Sequence, residues 1–148
     1  MDPSEMKKFR KKQLDEINKY RKIHNADPLI LDKDITNHAQ NWADHLASSG
    51  ALSHQKNDKY GENIAAGAPI SSLNPAKMWY SEVGKADFNN LEGSMDCLHF
   101  TQLVWKSSRK IGIGIAMGRN GLCYVVADFD PPGNVMGYFS ENVSPSRN

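Results

Sequence analysis

The chain has 148 residues, enough for one domain with its own core and too few for two ordinary ones. Its 39% hydrophobic and 24% charged residues are the make-up of a globular protein, not a disordered one. A net charge of +1 makes no electrostatic case for nucleic acid, and no apolar run reaches the roughly 18 residues of a membrane span. The charge is uneven: residues 1–24 hold eight Lys and Arg against four acids, a balance of +4, and the remainder carries −3. Two cysteines, Cys97 and Cys123, are too few for a disulfide framework. No apolar stretch follows the basic N-terminus as in a signal peptide, and Met1-Asp2 lacks the glycine that myristoylation needs. The expected location is the cytosol, with secretion only if a leader has been removed ahead of Asp2-Pro3.

Asp2-Pro3-Ser4-Glu5 opens a first helix, with Asp2 as N-cap, Pro3 at the first helical position and Glu5 three residues after the cap. Phe9, Leu14, Ile17, Tyr20 and His24 follow at helical spacing, and Asn25-Ala26-Asp27-Pro28 ends the helix. A second helix starts near Asp32, carries the stripe Ile35, Ala39, Trp42, Ala43, Leu46 and Ala47, and closes at Gly50. Residues 53–73 read as a long, mostly irregular connection carrying Tyr60-Gly61-Glu62-Asn63, and connections of that length are usually functional. Asn74-Pro75 begins a third helix whose inner face is Met78, Trp79, Val83 and Ala86. A polar loop over residues 87–97 leads to a short helix at residues 99–105. The period then changes: Ile111, Ile113, Ile115 and Met117 alternate with Gly112, Gly114 and Ala116, a strand with one face kept small. A turn at residues 118–121 precedes the nearly unbroken apolar run of residues 122–127, which reads as a central strand. Pro131-Pro132-Gly133 ends it, and Gly137-Tyr138-Phe139 reads as a short last strand. Helices first and a hairpin last predict a single α+β domain over residues 1–148.

Several polar residues stand out. Glu82 lies four residues after Met78 and three after Trp79, on their face of the helix, where a carboxylate must find a partner. It is either a rim residue met by solvent or part of a site. His99 opens a helix and can face a cleft or cap the turn. His54, in Ser53-His54-Gln55, and Glu62, in Gly61-Glu62-Asn63, are loop residues by pattern. No His-Glu-x-x-His, paired Cys-x-x-Cys or Gly-x-Ser-x-Gly occurs. Cys97-Leu98-His99 is a weak ligand pair that reads better as a buried thiol beside a histidine.

The segment His99-Phe100-Thr101-Gln102-Leu103-Val104-Trp105 resembles the first signature of the CAP superfamily, which comprises cysteine-rich secretory, antigen 5 and pathogenesis-related proteins. Residues 125–135, VVADFDPPGNV, resemble the second. Gly61-Glu62-Asn63, Trp79-Tyr80-Ser81-Glu82 and Leu52-Ser53-His54 match its other blocks, all in family order. Ala127 stands where a cysteine is usual, Phe129 where a tyrosine is, and Leu98 where glycine or a charged residue is. The missing cysteines and leader resemble the intracellular, Golgi-associated branch, usually myristoylated, although Asp2 bars that modification here.

The resemblance implies a three-layer α-β-α sandwich around a central, mainly antiparallel sheet. It implies a cleft of His54, Glu62, Glu82 and His99. There His54 and His99 would bind zinc or another divalent cation, and Glu62 and Glu82 could act as general bases. Sterols, fatty acids and acidic phospholipids are the implied ligands, with a homodimer as a further expectation and attachment to Golgi or other membranes peripheral. In that reading Phe9 dips into the interface while Lys7, Lys8 and Lys11 meet anionic lipid. The leading expectation is a non-enzymatic binding protein. The alternatives are a metal-assisted hydrolase using the four cleft residues and a self-associating scaffold.

Overall fold

The computed structural model describes residues 1–56 and 59–147. Helix α1 (Pro3–Ile23) begins as its sequence requires, with the Asp2 carboxylate accepting from the Glu5 N–H at 2.9 Å. It buries Phe9, Gln13, Ile17, Tyr20 and Arg21, a stripe at three- and four-residue spacing. Helix α2 (Lys33–Ser49) is capped by Asp32 on the Ile35 N–H and ends at Gly50, whose φ of 71° is the left-handed turn that favours glycine. Short helices α3 (Pro75–Tyr80), α4 (Leu98–Leu103) and α5 (Phe139–Asn142) complete the α-helices among the described residues. None of these helices is long and apolar enough to cross a membrane.

Four strands, β1 (Ile30–Leu31), β2 (Gly61–Gly67), β3 (Lys110–Met117) and β4 (Cys123–Asp130), form one sheet in the order β1-β3-β4-β2. The β3–β4 and β4–β2 pairs are antiparallel and β1–β3 is parallel. Alternation sends the strands' side chains to two helical layers. Ile111, Ile113, Ile115, Val125, Ala127 and Phe129 share one core with Phe9, Ile17 and Tyr20 of α1, Trp79 of α3 and Phe100 and Leu103 of α4. On the opposite face Tyr124 and Val126 pack with Ala39, Ala43 and Leu46 of α2. This is the three-layer α-β-α sandwich with a mainly antiparallel sheet.

The small face of β3 has a steric cause. A Cβ at Gly112 would sit 2.2 Å from the Ile35 carbonyl carbon, and one at Gly114 would sit 2.6 Å from Gln40 Cα. The α2 backbone therefore lies directly on β3. Because β1 ends at Leu31, the edge of β3 is open further along, and Gln40 fills it. Its side chain accepts from Ile115 N–H at 3.0 Å and donates to Ile115 O at 2.8 Å.

Several expectations are corrected. The connection at residues 53–73 holds an edge strand, β2, paired with β4 from Gly61 to Gly67. Its sequence, GENIAAG, is poor in strand formers, so pairing and packing, not propensity, make it a strand. Strand β1 escaped notice because it is only two exposed residues. The third helix ends at Tyr80 and tightens into a 3-10 turn over Ser81–Lys85. Trp79 is buried, but Met78 is 46% exposed and faces outward. The expected last strand at Gly137-Tyr138-Phe139 is instead the approach to α5, where Phe139 sits edge-on to Trp105 at 5.1 Å. Phe9 is a core residue at 7% exposure and cannot reach a membrane interface, although Lys7, Lys8 and Lys11 are exposed.

Candidate functional site

The edge of β2 is where the cleft forms. His54 comes from the segment after α2, Glu62 from β2, Glu82 from the 3-10 turn after α3, and His99 from the start of α4. One cavity of about 320 Å³ takes its walls from all four, together with Asn63, Met95, Asp96, Leu98 and Asn134. His54 Nδ1 lies 2.8 Å from Glu62 Oε1, and His99 Nδ1 lies 2.8 Å from Glu82 Oε2. The members of the first pair differ most in depth: the His54 side chain is 61% exposed and that of Glu62 9%, against 35% and 21% for His99 and Glu82.

Each carboxylate has further partners. Glu82 Oε1 accepts from the backbone N–H groups of His99, at 3.0 Å, and Phe100, at 3.3 Å. Cys97, the residue at the N-cap of α4, makes no side-chain cap bond, so Glu82 satisfies these orphan donors from another segment. Glu62 Oε1 also accepts from Gln55 N–H at 3.1 Å. With Nδ1–H donated to a carboxylate, each neutral imidazole keeps a lone pair on Nε2. Histidines that bind metals are commonly oriented in this way. No group of three or more His, Cys, Asp and Glu side chains among the described residues is arranged to hold a metal ion. The cleft histidines thus offer a ligand at most two protein nitrogens, the Nε2 atoms of His54 and His99.

The two long motifs face each other and fix α4. Thr101 Oγ1 donates to Asn134 Oδ1 at 2.6 Å, Asn134 Nδ2 donates to Leu98 O, and Gly133 N–H donates to Gln102 Oε1. Gly61 is the residue that lets Gln102 in, since a Cβ there would lie 2.0 Å from Gln102 Oε1. Asn63 Nδ2 donates to His99 O, which ties the cleft histidine to β2. Cys97 is fully buried with its thiol on Ser94 O at 3.1 Å, and it does not line the cavity. Asn63, Asp96 and Asn134 were not singled out in the sequence, although Asn63 and Asn134 fall inside the quoted motifs. Elsewhere, Lys19, Lys22 and Arg147 line a groove of about 630 Å³ at the C-terminal end of α1, with Asp27 on its rim.

An α-β-α sandwich with two histidine–glutamate pairs gathered at the edge of β2 defines the class of protein. The sequence matches the cysteine-rich secretory protein family (CAP) over residues 14–129, and the chain belongs to that family. It is 36% identical to human Golgi-associated plant pathogenesis-related protein 1 over 153 aligned residues, covering 99% of each chain. It is 40% identical to secreted protein PRY1 of Candida albicans, covering 93% of this chain but 32% of that one. Among solved structures, BmVAL-1 superposes with a TM-score of 0.72 at 25% identity, covering 91% of this chain and 80% of that chain. A second, NaASP2 with Zn2+, has a TM-score of 0.66 at 23% identity and covers 86% and 82%.

Proposed function

We propose that this chain is a binding protein, not an enzyme. In this reading its cleft holds a divalent cation on His54 and His99, and its basic α1 face meets anionic phospholipid at a membrane surface. The observation that carries the first part is the use made of the two glutamates. Among the described residues Glu82 accepts three hydrogen bonds and Glu62 accepts two, one of each from the Nδ1 of a cleft histidine. They serve as orienting groups, which suits ligand holding better than activation of water. Among the described residues, the cavity walls hold no Ser, Thr or Cys that could act as nucleophile. A cation bound there would supply a Lewis-acidic centre of the kind zinc provides. The solved relative named with Zn2+ has the same fold, which adds support for that choice of cation.

Charge supports the lipid part. Lys7, Lys8, Lys11 and Lys12 are exposed on α1, and Lys19 and Lys22 continue the basic character to the groove shared with Arg147. Lys11 is only loosely tied to Asp15, at 3.4 Å on an exposed surface. Each basic residue near an anionic leaflet is worth about 1 kcal/mol, and with Phe9 in the core the attraction is electrostatic alone. Attachment is therefore peripheral, reversible and salt-sensitive. Flotation with phosphatidylserine-containing and pure phosphatidylcholine vesicles tests it. The expected result is binding to the anionic vesicles at low salt, lost at high salt and in a Lys7→Glu, Lys8→Glu, Lys11→Glu variant. Equal binding to both vesicle types, or none, overturns it.

A further inference from the structure

Behind the cleft, on the α2 side of the sheet, stands a third histidine–carboxylate pair. His38 Nδ1 of α2 lies 2.8 Å from Asp128 Oδ2 of β4, and the Asp128 side chain is 1% exposed. Asp128 is directly opposite Glu62 in the β2–β4 register. Residues so paired point to the same face with Cβ atoms about 4.5–5.5 Å apart, so the two carboxyl groups are neighbours. Each has one oxygen engaged and one buried without a partner among the described residues: Asp128 Oδ1 and Glu62 Oε2.

Among the described residues neither orphan oxygen accepts a hydrogen bond, and the one other buried, unpartnered side-chain polar atom, the Thr36 hydroxyl of α2, bonds to neither of them. From β3, Gly112 stands opposite Asp128 and contributes no side chain. From α2 the facing group is His38, already committed to Oδ2, with Tyr60 packed edge-on to its ring at 4.9 Å. From β2 the facing group is Glu62, whose other oxygen serves His54 and Gln55. Buried polar atoms are almost always satisfied, and two adjacent carboxylates cannot both ionise cheaply in such a place. A single proton satisfies both orphan oxygens at once.

We propose that Asp128 is a positioning residue of the cleft, a carboxylic acid that donates from Oδ1 to Glu62 Oε2 and thereby holds Glu62 in the orientation that fixes His54. The result is a continuous relay from His38 through Asp128 and Glu62 to His54. The proton belongs to Asp128 because it is the more deeply buried of the two and accepts from one donor where Glu62 accepts from two. Burial first, and then the charge of Glu62, push Asp128 up to about 6, with His38 pulling the other way. The inference holds whatever the cleft binds.

The test is carbon-13 NMR of the side-chain carboxyls of the intact, chelator-treated chain, read alongside nitrogen-15 shifts of the His54 ring. Asp128 is expected to titrate above the ordinary carboxylate range, and to titrate lower in Glu62→Gln. Asp128→Asn keeps an N–H for Oε2 and an oxygen for His38, so it preserves the Nδ1–H tautomer of His54; Asp128→Leu mixes the tautomers. Should the Leu variant not fold, the wild-type titration still decides. Titration of Asp128 in the ordinary carboxylate range overturns the proposal, as does a His54 tautomer indifferent to all three substitutions.

Discussion

Glu82 does two jobs at once, and they can be separated by substitution. Its Oε1 caps α4 and its Oε2 orients His99. Glu82→Ala removes both and should cost about 1–2 kcal/mol in urea unfolding. Glu82→Gln keeps an acceptor for the cap and should cost clearly less. Arg21 is a second residue with a role larger than its position suggests. It is fully buried, and its guanidinium donates to the carbonyls of Asp27, Leu103, Trp105 and Ser108. Burial pulls it down to about 10, still charged at neutral pH. Arg21→Met leaves four carbonyls without that donor and should cost at least about 3 kcal/mol by chemical denaturation. Of these residues, Glu82 was legible in the sequence as a carboxylate on the face of Trp79. His54, Glu62 and His99 were legible only through the resemblance of their motifs, not from local pattern, because their partners are eight or seventeen residues away on other elements. Asp128 left a fainter trace, as an acid in line with Tyr124 and Val126 on a strand face that packs against α2. Arg21 left one too, four residues after Ile17 on the buried stripe.

Elements are joined by contacts that sequence periods do not report. His24, at the end of α1, has Nδ1 2.7 Å from Ser144 O and Nε2 2.9 Å from the Tyr80 hydroxyl, so it links α1, α3 and the C-terminal segment. The neutral imidazole donates to the carbonyl and accepts from the hydroxyl. Burial lowers its pKa below the ordinary 6.5. Its contribution to stability is therefore complete above about pH 6.5 and is lost as pH falls through the lowered native value. Asp128 has the opposite sign: raised from 3.8 to about 6, its contribution is complete below 3.8 and is lost as pH rises through about 6. Thermal melts across this range should lose the acid-side slope in His24→Gln, whereas Asp128→Asn should gain most over wild type above pH 6. The contact of α2 with β3 makes Gly112→Ala costly, about 1–3 kcal/mol, because the helix backbone must retreat. The long helices, the β3–β4 hairpin and the small face of β3 were readable from caps and periodicity. Strand β2 was not, since Glu62, Asn63 and its two alanines are poor strand formers that owe their conformation to β4.

For the whole molecule, the sandwich explains why the cleft lies where it does. Among the described residues the outer edge of β2 faces no further strand, and residues from both sides of the sheet reach around it. Glu62 comes from the α2 face, while Glu82 and His99 come from the α1, α3 and α4 layer. Local pattern could not reveal this, because the edge exists only once β4 has paired on both sides. Cation binding is the central claim, and calorimetric titration of Zn2+ into the chelator-treated chain tests it most directly. The account predicts one cation per chain, lost in either His54→Ala or His99→Ala and weakened about 10–100-fold in Glu82→Gln. Absence of binding, or binding that survives both histidine substitutions, would contradict it.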